Sequence, residues 1–150
     1  MEREDVATSP LNNKLQGLTG GSVHLTRIGA VVLAIVASLI VWVVARPLFD
    51  ANLLATAMGS DDPDKIVWQN TIYAFSTWGI GALIVVYLID RFSSNPARLW
   101  LIVSVAALVL SFIPIFASSE NTATTITFSI MHLVSGAIII PAFLDTLRKK

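Results

Sequence analysis

Cysteine is absent from the 150 residues, which excludes disulfides, thiolate metal sites and cysteine nucleophiles within the chain. Histidine is scarce, represented by His24 and His132 alone. Charge is scarce too. Charged side chains make up 13% of the residues, against about a quarter in soluble proteins. Ten basic and ten acidic side chains cancel, so no net charge remains to recruit nucleic acid. What informs is where the charges sit.

The chain is rich in apolar residues, 55% of the total. They gather into four runs bounded by charge or turn residues: 28–45, 72–89, 99–117 and 126–144. At roughly 1.5 Å rise per residue each run spans about 27 to 29 Å as a helix, close to the roughly 30 Å hydrocarbon core of a bilayer. The first run lies behind a long polar segment and is longer than a signal-peptide core, and Val44-Ala45-Arg46-Pro47 is a poor cleavage site. It therefore reads as a retained helix. The sequence predicts an all-α polytopic membrane protein, an antiparallel bundle of four transmembrane helices over residues 23–150, preceded by a flexible tail over 1–22.

Eight of the ten basic residues fall on one side of this topology: Arg3, Lys14, Arg27, Arg91, Arg98, Arg148, Lys149 and Lys150. Only Arg46 and Lys65 fall on the other, among Asp50, Asp61, Asp62 and Asp64. By the positive-inside rule both termini and the 91–98 loop are cytoplasmic. An odd number of spans would spoil this asymmetry, so the charges support four independently of hydropathy. Trp42, Trp68, Tyr73 and Trp100 fall near helix ends, where amphipathic rings favour the headgroup level.

Between the first two spans, Leu48, Phe49, Leu53, Leu54, Ala57 and Met58 approach helical spacing, which predicts a short interfacial helix. Residues 59–64 follow as a turn. Their aspartates lack the twelve-residue calcium loop and read as a solvated acidic loop. Pro96 in the 90–98 segment marks a tight hairpin, and 118–124 forms another.

Lipid tails are as apolar as leucine, so small and weakly polar residues mark helix contacts in a membrane. The candidate stripes are Ala30, Ala34, Ala37, Ser38 and Ala45; Ala74, Thr77, Gly81 and Ala82; Ser104, Ala107 and Ser111; and Thr125, Ser129, His132, Ser135 and Gly136. Trp78-Gly79-Ile80-Gly81 lacks the strand and loop of a nucleotide site and reads as close helix packing.

His132 is the ionisable side chain set well inside an apolar run, roughly 10 Å from the outer end of its helix. Intramembrane ionisable groups are functional hypotheses by default. A neutral histidine that fixes helix contacts through a hydrogen bond is the alternative. Depth brings Ser76, Thr77, Trp78, Ser111, Pro114 and Ser129 to the same outer third, which suggests a small polar pocket open to the outer face. Pro114 frees the carbonyl of Leu110 and kinks its helix; Pro141 bends or ends the fourth helix before Asp145. His24 lies across the bilayer from His132, so a two-histidine haem site within the chain is excluded by depth.

Met131-His132-Leu133-Val134-Ser135-Gly136, Ile140-Pro141 and the Trp78-Gly79 region resemble the DUF6069-like family of small actinobacterial four-span membrane proteins. The resemblance covers residues 27–144. It implies four helices in a bacterial inner membrane and supplies no activity.

No paired acid and base and no metal-ligand set occurs within the spans, so neither enzymatic activity nor a cofactor is expected. The leading expectation is an accessory or interaction subunit in the bacterial plasma membrane. Its partners would be the lipid bilayer and a membrane protein or a second copy of itself, with no nucleic acid. The alternative is binding or transport of a small molecule or proton through an outer-facing pocket of His132, Trp78, Thr77, Ser129, Ser111 and Pro114.

Overall fold

The computed structural model describes the backbone of residues 10–48, 51–56 and 62–148, and side chains from Gly21 onward within those ranges except at 47 and 48. Helix α1 (Pro10–Val43) runs into a π turn (Val44–Leu48). Strands β1 (Leu54–Thr56) and β2 (Pro63–Lys65) follow, then α2 (Trp68–Phe92), α3 (Pro96–Leu110), α4 (Phe112–Ser118) and α5 (Thr122–Arg148). Among the described residues four stretches are long and apolar enough to cross a membrane: Gly21–Arg46, Trp68–Phe92, Pro96–Ser118 and Thr122–Arg148. Each contains one of the four runs read from the sequence.

In the most apolar window of each span no more than 22% of the residues are buried. Val32, Leu33, Ile80, Ile102, Val109 and Ile126 are each more than half exposed. Water would penalise so much exposed apolar surface at about 25 cal/mol per Å². Lipid does not, and the bundle is built for that solvent.

The first and fourth spans form the spine. α1 packs most extensively on α5, α2 docks on α1, and α3 docks on α5. α2 and α3 touch each other only sparsely. Close approach rests on small residues. A Cβ at Gly79 would collide with the Val31 side chain, and one at Gly136 would lie 3.0 Å from a Leu108 methyl. Ser38 donates to the Ala34 carbonyl at 2.8 Å and sits 2.9 Å from the Ser135 hydroxyl. With the Ser38 hydrogen so committed, Ser135 is the donor that ties α5 to α1.

One end of the bundle, the termini end, holds the 93–95 connection and the main apolar core of Val31, Val86, Ile89, Trp100, Phe143 and Leu147. The Trp100 and Phe143 rings stack at 5.2 Å. Beside this core Arg27, only 3% exposed, pairs with Asp90 at 3.1 Å and donates to Thr146 at 2.9 Å. Three helices are thereby joined by one guanidinium. The α2–α3 connection closes where the Ser93 amide donates to the Ile89 carbonyl, Asn95 caps α3 by accepting from the Arg98 amide, and Pro96 opens the new helix.

The opposite, hairpin end carries β1 and β2, antiparallel with Leu54 opposite Lys65 and Thr56 opposite Pro63. Ala55 also bridges to Ser119. The interfacial helix predicted over 48–58 is therefore not formed at 54–56, where the backbone is extended. Leu53, fully buried, packs with Ala55, Ile66, Trp42 and Phe128, so Leu53 and Ala55 face the bundle. Phe49, Ala57, Met58 and the 59–61 part of the expected turn lie outside the described residues.

Other expectations shift as well. The backbone from Pro10 is helical, where the sequence pointed to a flexible tail through Ser22; residues 1–9 lie outside the described residues. Pro141 does not end α5, which continues to Arg148 with the proline inside it. On α2 Gly79 is buried close against Val31 of α1, while Ala74 and Thr77 are exposed. The expected break near Pro114 is present: α3 stops at Leu110, Ser111 turns, and α4 resumes.

Candidate functional site: a cleft between two helices

Because α2 and α3 barely meet above the 93–95 connection, a cleft of about 300 Å³ opens between them. Its floor is α1 and α5, represented by Ala34, Ser135 and Gly136. Phe75, Trp78 and Ala82 form the α2 wall, and Ser104, Ala107 and Ser111 the α3 wall. Toward the termini end the lining is apolar, with Val85, Val103 and Ile139. The cleft faces sideways between two spans.

Of the residues singled out from the sequence, His132, Trp78 and Ser111 line this cleft. Thr77 is exposed and spends its hydroxyl on the Tyr73 carbonyl at 2.9 Å. Ser129 and Pro114 are not among the lining residues. Pro114 acts at a distance, through the helix break beside Ser111. Ser76 likewise lies off the wall.

His132 is held on two sides. Its Nδ1 lies 2.9 Å from the Phe128 carbonyl, and the Phe75 ring packs on the imidazole at a centroid distance of 5.4 Å. Most other polar groups in the lining are already committed. Ser104 donates to the Leu101 carbonyl and Ser111 to the Leu108 carbonyl, at 3.3 and 2.6 Å. Ser135 donates to Ser38, and the Trp100 indole to the Ile140 carbonyl at 3.1 Å. Among the described residues His132 Nε2 and the Trp78 indole N–H have no hydrogen-bond partner.

Sequence reasoning missed Phe75, Gly79, Ser104 and Ala107 as parts of one cleft. Gly79 and Ala107 were visible only as small residues, and which helix face they serve depends on the packing partner. A second groove, between α1 and α2 at the termini end, is lined by His24, Arg27 and Tyr87. Its buried cation is already held by Asp90 and Thr146.

Four long apolar helices around a laterally open cleft define a polytopic membrane protein. The chain belongs to DUF6069, a family of unknown function, whose sequence profile matches residues 19–149. No curated protein and no solved structure matches the chain.

Proposed function

We propose that this protein binds a lipid-soluble small molecule, which enters the cleft between α2 and α3 sideways from the bilayer and meets His132 and Trp78. The observation that carries the reading is an apolar cleft holding two side-chain polar groups without partners among the described residues. Its volume of about 300 Å³ falls at the lower end of the 300 to 1,000 Å³ usual for ligand pockets. A void of this size, with free polar groups inside an apolar lining, favours a small ligand over the accessory-subunit reading. A proton relay needs a chain of titratable groups, and His132 is the ionisable side chain on this wall.

The setting proposed with it is a bacterial plasma membrane with both termini inside. Eight of ten basic residues on the termini side support that orientation, which puts His132 and the hairpin toward the outer leaflet. Reporter fusions at Lys150 and Ser60 test it: cytoplasmic activity at Lys150 and external activity at Ser60 are expected, and the reverse overturns it.

Photolabelling tests the binding. A long-chain hydrocarbon carrying a diazirine, added to protein in detergent micelles, is expected to label Trp78, Leu108 and Gly136 peptides in excess of other lipid-facing peptides. Ala107→Phe, which fills the cleft, removes that excess. Uniform labelling along all four spans overturns the reading.

A further inference from the structure

Given the binding proposed above, on which this inference rests, the polar groups of the cleft also specify the chemistry of the ligand's head. The Phe128 carbonyl can only accept, so His132 Nδ1, 2.9 Å away, is the nitrogen that carries hydrogen. A neutral imidazole has one N–H, which leaves Nε2 as a bare acceptor. Nothing within the described bundle donates to it. The hydrogen cannot move to Nε2 cheaply, because a bare Nδ1 would then face the Phe128 carbonyl and set two acceptors together. Phe75, its ring tilted at 55° to the imidazole, packs beside it.

Trp78, on the α2 side of the cleft and 68% exposed, is complementary in kind. The Trp78 indole carries a hydrogen and no lone pair to accept with. The hydroxyl hydrogens of Ser104, Ser111 and Ser135 are spent on carbonyls and on Ser38, so none is left for a ligand. Beside the lone pairs of the serine oxygens, the cleft thus offers a ring nitrogen as free acceptor and an indole N–H as free donor, with an apolar lining running toward the termini end.

We propose that the cleft selects a single-chain lipid whose head is a hydroxyl: its O–H donates to His132 Nε2, its oxygen is available to the Trp78 N–H, and its chain lies along Val85, Val103 and Ile139. A hydroxyl both donates and accepts, so it matches the chemistry of each group. Ethers, esters and ketones accept but cannot donate, and leave Nε2 bare.

The test is competition against the hydrocarbon photolabel by three probes of equal chain length: hexadecanol, hexadecyl methyl ether and hexadecane. Hexadecanol is expected to displace the label at a concentration about fivefold lower than the ether, the factor one neutral hydrogen bond supplies. In His132→Phe the alcohol and the ether become equal while both still displace. If alcohol and ether are equal in the unaltered protein, hydroxyl selection falls and the binding reading stands. If no probe displaces the label, the binding reading falls and takes this inference with it. Nitrogen NMR of the His132 ring in a His24→Gln background gives a measurement that does not depend on the phenylalanine variant folding. Hydrogen on Nδ1 and a shift of Nε2 on adding hexadecanol are expected; hydrogen on Nε2, or no shift, overturns the inference.

Discussion

Arg27 and Asp90 face each other at 3.1 Å with side chains 3% and 10% exposed, a buried ion pair that clamps α1 to α2 and, through Thr146, to α5. Removing one partner takes the opposite charge away from the other, which in a buried pair typically costs about 3 to 5 kcal/mol. Arg27→Met and Asp90→Leu are each expected to lower unfolding stability in detergent by an amount in that range. Arg27→Met with Asp90→Leu should cost less than either single change, because no orphan charge remains. Denaturant titration of purified protein measures all three, and additive losses would contradict the pairing.

Gly79 and Val31 predict a different kind of coupling. A methyl at Gly79 meets the branched Val31 side chain, and Val31 has little rotamer freedom to yield. Gly79→Ala should destabilise the bundle by about 1 to 3 kcal/mol, the usual cost of overpacking. Val31→Ala in the same chain should recover part of the loss. Thermal unfolding of the two single variants and the double variant closes the cycle.

Asn121 fastens the hairpin to the last span. Its side-chain oxygen accepts from the Thr124 amide at 2.8 Å and its amide nitrogen donates to the Asn52 carbonyl at 2.7 Å, while the Leu54 amide donates to Thr124 Oγ1 at 2.9 Å. The Thr56 hydroxyl adds a bond to Glu120. Asn121→Ala removes a helix cap, worth about 1 kcal/mol, and the bond to Asn52. Faster hydrogen exchange at Leu54 and Ile66 is expected, with exchange at Val86 unchanged; equal acceleration at both would mean that the hairpin and the bundle open together.

The reach of the sequence differed between the spans and the details of their packing. Span number and position were legible because a bilayer fixes helix length, and the interruption near Pro114 was legible because proline removes a donor and crowds the carbonyl four residues back. The face of each helix was harder. A helix with apolar residues on every side carries no amphipathic signal, so Ala74 and Thr77 looked as suitable for contact as Gly79. The β1 and β2 strands, three residues each, depend on pairing with each other and with Ser119, which no local pattern announces. At the site, His132 and Trp78 were visible as unusual residues. Their shared cleft follows from the gap between α2 and α3, a property of the assembled bundle.

The pairing of α1 with α5 bears on how the protein is made. A chain emerging from the ribosome delivers its spans in order, so the first waits in the bilayer for its principal partner until the fourth arrives. In that interval α1 and α2 can already join through Gly79 and the Arg27–Asp90 pair, but Ala34 and Ser38 face lipid. The spine closes last, and assembly is committed only after the final helix has entered the membrane.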